Sequence, residues 1–388
     1  MRNVYFNYLI SKNKVTLNVI EVKDQKNVLL YEKNISLTSD LKALDLLMIK
    51  HKELEKQLLT NKKKLIIKSN LILDESLHNY YELESYQAEI LVKSNLITKE
   101  INNELEKQMK TKLNTEKIIL NQTVSCYKTI DLVDQLKIYR NLPLNKIAKS
   151  ITLIKNYLLI TKNNILDKII KKFNQTKIFF NNICTKMFAQ AQVDNNSYLN
   201  KIYLELNNYS WTLAKEFNKN IICNSYKEIN YSAIFNEIFS RMNLSTKQFK
   251  LLVNSFFQND QNLIIKNLNL SLQQKLFYQL FINKIEKYFQ ELLQELYSYI
   301  KDGYKIVFLE NSACTFSTLF KNSKFPFEQF KNTTNISNLS TCMQGIIKYS
   351  DSIINYSPQE KTISNISLNF KSNFFNKLFF KFIYLNKG

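Results

Sequence analysis

The fold is decided by residues 4–35, which read VYFNYLI-SKNK-VTLNVIEV-KDQKN-VLLYEKNI. Apolar runs alternate with polar turns. Within the runs, β-branched and aromatic residues recur with the period of two that is typical of strands. The pattern predicts strands at 4–10, 15–22 and 28–35, joined by tight turns into an antiparallel meander.

The same arrangement returns in the second half of the chain, at residues 201–227, which read KIYLEL-NNYS-WTLAKEF-NKN-IICNSYK. This stretch predicts strands at 201–206, 211–217 and 221–227. Helical material follows each meander. Strands and helical material thus alternate in two similar units, and we expect an α/β protein.

The remaining elements follow from the spacing of apolar residues. Helical spacing predicts helices at about 40–59, 98–113, 165–173, 232–242, 245–257, 272–300, 311–320 and 341–350. Strands are predicted at 65–72, 86–92, 117–127, within 147–160 and at 305–309.

Composition excludes several classes of protein. The chain has 388 residues, enough for two or three domains, and 45% of them are hydrophobic, which argues against disorder. It contains only 3 Gly and 3 Pro, which excludes chemistry that depends on several glycine-rich phosphate loops. A collagen, a low-complexity linker and a disulfide scaffold are excluded as well.

The formal net charge of +21 favours an acidic partner: nucleic acid, an anionic membrane or an acidic peptide. Codon bias is an alternative cause, because the chain is rich in the residues that AT-rich codons encode. The lysines are spread along the chain. Their densest run, Lys62–Lys64, is predicted to be a solvated helix end.

Cysteine and histidine usage predicts neither a metal site nor catalytic residues. The 5 cysteines form no CxxC motif, so they are expected to be reduced, buried thiols. The two histidines, His51 and His78, are expected to be incidental surface or helix residues. The start of the chain does not resemble a signal peptide, and no apolar run approaches a membrane span, so an intracellular protein is expected.

The C-terminal segment predicts an amphipathic helix that lies in the plane of a membrane. Its apolar residues share one helical face, lysines flank that face, and no acidic residue follows Glu360. A last helix packed on its own domain is the alternative. The residues predicted to bind the membrane are Phe374, Phe375, Lys377, Leu378, Phe379, Lys381 and Phe382.

The order of these segments resembles the bacterial cell-division protein FtsA, over nearly all of the chain. The family's first hairpin, D-I-G-T-S-K, is matched by LISKNKVTL at 9–17, and its I-x-x-E-D-I helix start by LITKEI at 96–101. Its second hairpin, V-D-I-G-G-G-T-T-D-I-A, is matched by LELNNYSWTLA at 204–214. Its adenosine turn and late helix resemble IVFLENS at 306–312 and TCMQGIIKY at 341–349. No single motif is intact, so the likeness lies in order, spacing and hydrophobic pattern.

The resemblance implies a two-lobed, actin-like α/β fold with ribonuclease H-like repeats, an inserted small α/β subdomain and a C-terminal amphipathic helix. The implied parts are a first lobe (1–79), the inserted subdomain (80–161), a return to the first lobe (162–194), a second lobe (195–227), its helical subdomain (228–300), a return to the second lobe (301–340), a closing helix (341–358) and a linker with the membrane helix (359–388).

The resemblance also implies a nucleotide cleft, which this sequence has altered. Phosphate cradling needs glycine for close backbone approach, and nearly all of those glycines are replaced. Leu9 stands where the family has the acid that holds Mg²⁺ through water, whereas Glu205 retains a carboxylate. We therefore expect no ATP hydrolysis, and weak binding of ATP and Mg²⁺ at most. The degenerate nucleotide-binding residues are Ser11, Lys12, Asn13, Lys14, Glu205, Asn207, Asn208, Ser210, Glu310, Asn311 and Ser312. Of these, Lys12, Lys14 and Ser210 are expected to be exposed turn residues.

The function implied is tethering of the tubulin-like division protein FtsZ to anionic lipids on the cytoplasmic face of the membrane, at the division site. Self-association into filaments is a further implication, and no nucleic acid is expected. Two alternatives remain open. One is a basic RNA- or ribosome-associated protein of an AT-rich genome, and the other is an active actin-like ATPase of pilus assembly or plasmid segregation.

Overall fold

The computed structural model describes residues 2–23, 26–37, 41–60, 65–113, 116–196, 200–206, 210–229, 231–242, 245, 247–248, 271–309, 325–330 and 339–352. The strands are β1 (Arg2–Ser11), β2 (Lys14–Lys23), β3 (Lys26–Ser36), β4 (Leu65–Leu73), β5 (Glu82–Leu91), β6 (Lys117–Ile130), β7 (Leu136–Tyr139), β8 (Ser150–Thr161), β9 (Asn182–Thr185), β10 (Asn200–Leu206), β11 (Ser210–Phe217), β12 (Asn220–Glu228), β13 (Lys305–Leu309) and β14 (Glu328–Gln329). The helices are α1 (Ala43–Thr60), α2 (Lys99–Lys112), α3 (Ile165–Gln175), α4 (Lys186–Val193), α5 (Tyr231–Met242), α6 (Leu272–Lys301) and α7 (Thr341–Ser352), with a 3₁₀ helix at Glu75–Tyr80.

Two five-stranded sheets of identical topology form the frame. The first has the order β3-β2-β1-β4-β9 and the second the order β12-β11-β10-β13-β14. In each sheet the first three strands form an antiparallel meander, and the last two join it in parallel. This duplication confirms the predicted two-lobed α/β architecture, and its strand order is that of the ribonuclease H-like repeats of actin-like proteins.

Strand β1 shows why the meander forms. Val4, Phe6 and Tyr8 pack into the core of the first lobe together with residues of α1 and α3. Tyr5, on the opposite face of the strand, packs instead into a cluster that lies between the two sheets. Because successive side chains of a strand point to opposite faces, a strand buried on both faces reads as the nearly continuous apolar run seen in the sequence.

Helices α4 and α7 lie between the two sheets. Their apolar residues share one cluster with Tyr5 and Ile72 of the first sheet and with Tyr203 and Val307 of the second. The helices touch where Gly345 of α7 meets α4, because a Cβ at this position would lie 1.7 Å from the carbonyl oxygen of Ala189. The glycine is therefore what allows the two helices to approach so closely.

A ladder of buried amides attaches α7 to the first sheet. Asn7, Asn70 and Asn182 are register partners on three neighbouring strands. Asn70 donates to the Oδ1 of Asn7 at 2.8 Å, and Asn182 donates to the Oδ1 of Asn70 at 3.0 Å. Ser350 of α7 completes the ladder by donating to Asn70 at 3.2 Å. The amide oxygens of Asn7 and Asn70 are thus satisfied inside the core, whereas the buried Nδ2 of Asn7 has no hydrogen-bond partner among the described residues.

A third sheet, with the order β5-β8-β6-β7, is inserted in the chain between β4 and α3. It is antiparallel throughout, and α2 packs on one of its faces. On the other face, Cys126 and Ile154 pack against Phe217 of the second lobe. Asn218 of that lobe also donates to the carbonyl of Ser125 at 2.8 Å. The inserted subdomain therefore contacts both lobes.

The structure also corrects the sequence analysis. Within the described residues, five elements were missed: β7, β9, β14, α4 and the 3₁₀ helix at Glu75–Tyr80. Each is short, and α4 is buried on nearly all sides, which removes the helical period. His51 is a helix residue but not a surface one, because it is buried in α1 with its Nδ1 2.8 Å from the hydroxyl of Tyr8.

Some predictions concern residues outside those described. They include helix 311–320, most of helix 245–257 and the membrane-binding residues from Phe374 to Phe382. Among the helices of the described residues, none is long and apolar enough to cross a membrane.

Replacing Gly345 with Ala is expected to push α4 and α7 apart, because the new methyl group meets backbone rather than a movable side chain. Overpacking of this kind costs about 1–3 kcal/mol of stability. Urea denaturation measures the loss. Lys348→Ala, at an exposed position of the same helix, is the control and is expected to change stability by less than about 0.5 kcal/mol. Equal stability of the two variants would contradict the close helix contact.

Candidate functional site

The candidate site is a cleft at the carboxyl ends of the parallel strands of both sheets. Ligands of open α/β sheets bind at this edge. Four groups meet here: the β1–β2 turn, the 3₁₀ helix after β4, the start of α4 and the end of β10. Their charged side chains are Lys12, Asp74, Glu75, Lys186 and Glu205.

The centre of the cleft is an ion pair between the lobes. The Nζ of Lys186 lies 2.5 and 2.7 Å from the two carboxylate oxygens of Glu205, and 3.7 Å from Asp74. Burial alone would lower the pKa of Lys186, but the charges of Glu205 and Asp74 outweigh it and hold that pKa above its usual value. Lys186 is therefore a charged ammonium group, and it binds both oxygens of Glu205.

Lys186 is the first residue of α4, where its positive charge must be balanced by negative charges nearby. Thr185 is the N-cap, and its hydroxyl accepts from the amide of Phe188 at 3.2 Å. The positive end of the helix dipole disfavours a cation at this position. The surrounding carboxylates supply the opposite charge, so the helix start and the acidic groups depend on one another.

Glu75 is the most deeply buried acid of the cleft. One of its oxygens accepts from the amide of Met187 at 2.9 Å, whereas the other, Oε2, has no hydrogen-bond partner. Burial raises the pKa of Glu75 from its ordinary 4.5 to about 8, with the charge of Asp74 acting in the same direction and Lys186 opposing it. This carboxyl group is therefore protonated at neutral pH.

Contacts between the lobes also line the mouth of the cleft. Lys12, in the turn of the first lobe, pairs at 2.9 Å with Glu228 at the end of β12. Tyr81 accepts from the side-chain amide of Asn224 at 2.7 Å. Nearby, the ring of His78 lies 5.2 Å from that of Tyr226. The first and second lobes are thus joined along one side of the cleft.

The structure brings together only part of the predicted nucleotide-binding set. Lys12, Asn13 and Lys14 are exposed in the β1–β2 turn, and Ser11 donates to the carbonyl of Lys14 at 3.2 Å. Ser210 is buried at the start of β11, so its predicted exposure was wrong; the strand begins one residue earlier than expected. The others, Asn207, Asn208, Glu310, Asn311 and Ser312, lie outside the described residues.

Sequence reasoning missed Asp74, Glu75 and Lys186. Asp74 and Glu75 follow the predicted strand 65–72 after one residue, and polar residues at the carboxyl end of a parallel strand are a usable signal. Lys186 offered none, because α4 was not recognised. Within the part of the chain that the structure describes, no group of three or more His, Cys, Asp or Glu could hold a metal ion.

No protein-family model matches the chain, and no curated protein matches it. Solved structures do match. The PilM–PilN type IV pilus biogenesis complex has a TM-score of 0.49 and 9% identity, covering 90% of this chain and 98% of that one. The ethanolamine utilization protein EutJ from Carboxydothermus hydrogenoformans has a TM-score of 0.37 and 7% identity, and the match covers 90% of each chain. MreB 5 of Spiroplasma citri bound to AMPPNP has a TM-score of 0.36 and 8% identity, and the match covers 91% of this chain and 97% of that one.

These neighbours are similar to the chain in fold. The actin-like fold is assigned from the duplicated strand order of the two sheets.

Replacing Lys186 with Met is expected to cost about 3 kcal/mol of stability, because it leaves Glu205 buried without its counter-charge. The double variant Lys186→Met, Glu205→Leu is expected to recover most of that loss, since both members of the buried pair are removed together and only the longer contact of Lys186 with Asp74, at 3.7 Å, is lost. Urea denaturation of both single variants and the double variant measures the coupling. Additive losses would contradict an energetic link between these two side chains.

Replacing Glu75 with Gln is expected to change the pH dependence of stability. The unfolded chain loses this proton near pH 4.5, whereas the folded protein keeps it to about pH 8, so the wild type loses stability as pH rises between these values. The variant lacks this loss, worth about 1.4 kcal/mol per pH unit at most. Urea midpoints from pH 5 to 9 test it. Glu89→Gln, at an exposed position, is the control. Parallel curves for wild type and Glu75→Gln would contradict the burial of a protonated acid.

Proposed function

We propose that the protein is a non-catalytic, actin-fold adaptor that tethers a tubulin-like FtsZ to the cytoplasmic face of the membrane at the division site. The observation that carries this proposal is the Lys186–Glu205 ion pair inside the cleft. An adaptor needs a stable scaffold and a membrane anchor, and it does not need nucleotide turnover.

The cleft residues do not fit Mg-ATP in the manner that the resemblance implies. Glu205 is the one family-like carboxylate retained, and both its oxygens are engaged by an ammonium group. Leu9, in place of the other acid, packs against the apolar cluster between the sheets. A cation at this position would have to displace Lys186 and leave that lysine buried beside it, which Coulomb repulsion opposes. No reaction step is therefore assigned to the site.

The contacts across the cleft support a scaffold held closed without ligand. The Lys12–Glu228 pair is exposed and contributes roughly 0.5 kcal/mol. The buried Lys186–Glu205 ion pair and the Tyr81–Asn224 hydrogen bond are two further contacts across the cleft. The lobes are thus joined by the protein's own side chains, in the place where a nucleotide would otherwise join them.

The anchor in this proposal is the C-terminal segment. Its sequence combines an apolar helical face, centred near Phe379, with lysines and no acids. Each Lys near an anionic surface contributes about 1 kcal/mol of attraction, and apolar burial at the interface adds to it. Membrane contact accounts for the apolar face of the segment as well as for its lysines, whereas an RNA-binding role explains the lysines but leaves the apolar face unexplained.

The experiment is flotation of full-length protein with anionic vesicles and the FtsZ from the same genome, with and without ATP. We expect the protein to carry FtsZ to the vesicles to the same extent in both conditions. Phe379→Glu is expected to weaken vesicle binding about tenfold or more, because it places a charge in the apolar face. The control, Asn373→Glu, adds the same charge on the side predicted to face water.

Three outcomes separate the parts of the proposal. Vesicle binding without FtsZ recruitment would contradict the partner. Equal binding by Phe379→Glu and Asn373→Glu would place the anchor elsewhere. Recruitment that requires ATP would contradict the non-catalytic cleft.

A further inference from the structure

One end of the inserted sheet carries a concentration of exposed apolar side chains. Leu132 and Val133, in the loop between β6 and β7, are 50% and 72% exposed. Five more surround them. The full set, here called the distal tip, is Leu91, Leu96, Ile130, Leu132, Val133, Leu136 and Ile147.

Strand register shows that these residues form one surface. Leu91, Ser150, Ile130 and Leu136 are direct partners across the four strands, in one row. Directly opposed residues of antiparallel strands point to the same face. Leu96 and Ile147 are joined by a bridge just beyond the row. Scattered single apolar residues need no explanation, but a contiguous group marks an interaction surface.

The tip is also the end of the subdomain farthest from its attachment to the lobes. The chain enters the sheet at Glu82 and leaves it at Thr161, and both lie at the opposite end of β5 and β8. The loop is held in shape by Asp131, whose Oδ1 accepts from the amides of Val133 and Gln135 at 3.1 and 2.9 Å. Leu132 and Val133 are therefore presented on a defined turn at a projecting end.

Exposed lysines outnumber the carboxylates around the tip by one. Exposed lysines are Lys93, Lys99, Lys137, Lys146 and Lys149. The loop carboxylates, Asp131 and Asp134, are each neutralised by one of them, at 2.9 Å by Lys137 and at 2.7 Å by Lys149. Two further exposed acids are Glu100, at the start of α2, and Glu89, two residues before Leu91 on β5, so five exposed lysines stand against four carboxylates.

We infer that the distal tip is a second membrane contact, which inserts Leu132 and Val133 into the interface of an anionic bilayer while the lysines meet lipid headgroups. The inference rests on the membrane placement of the proposed function. Apolar residues on a projecting turn, rimmed by lysines, match the chemistry of such an interface. A second copy of this chain fits less well, because its net charge of +21 would be brought against a basic surface.

The test uses a tryptophan reporter in the full-length protein. The single native tryptophan, Trp211, is 2% exposed in the second lobe and provides a constant background. Val133→Trp is expected to show a blue shift of its fluorescence on vesicles that contain phosphatidylglycerol, and none on phosphatidylcholine alone. Leu59→Trp, at a position of similar exposure on α1, is the control and is expected not to shift.

A second variant, Val133→Asp, is expected to weaken binding to the same anionic vesicles about tenfold, since it places a charge where the tip enters the interface. The proposed function and the tip are distinguishable, because vesicle binding without a shift of Val133→Trp overturns the tip alone. Absence of all vesicle binding overturns both. A shift that follows protein concentration without vesicles also overturns the inference, and identifies the tip as a contact between copies.

Discussion

The arrangement of the cleft depends on the ion pair between Lys186 and Glu205. The pair joins the first turn of α4 to the last strand residues of β10, so it links the helix that runs between the sheets to the second lobe. Both side chains are largely withdrawn from water, and two buried charges are tolerated only as a pair. Asp74 and Glu75, next to them, set the local charge. The protonated state of Glu75 keeps a third negative charge out of the cluster.

Helices α4 and α7 connect the Lys186–Glu205 pair to the first sheet. Helix α4 carries Lys186 at its start and touches Gly345 of α7 along its length. Helix α7 is attached in turn to the first sheet by Ser350 and by Lys68, whose Nζ donates to the carbonyl of Ser350 at 2.8 Å. Cleft, helix pair and sheet are therefore parts of one connected, buried structure. A cleft built in this way keeps a fixed distance between the two lobes.

The sequence predicts the two meanders well, because strands buried on one or both faces leave a strong apolar signal between polar turns. It predicts α1, α2, α3 and α6 for the same reason, at helical spacing. It does not predict β9 or α4, because a four-residue strand and an eight-residue helix buried all round have no measurable period. Because α4 was not predicted, Lys186 at its start was overlooked.

The candidate site was predictable only in outline. Glu205 was identified from the resemblance and does lie in the cleft, whereas its partner could be found only from the folded chain. Ser210 was expected in a turn, but the strand starts at this residue and buries it. Burial and long-range pairing are properties of the tertiary structure, so the raised pKa of Glu75 has no counterpart in the local sequence.

The most direct test of the central claim is calorimetric titration of the full-length protein with ATP, in the presence and absence of Mg²⁺. If the ammonium of Lys186 holds the place of a cation, the titration will show no Mg²⁺-dependent binding up to about millimolar ATP, the range in which binding energies fall to roughly 4 kcal/mol. Tight binding that requires Mg²⁺, with a dissociation constant of about 1 μM or below, would contradict the account.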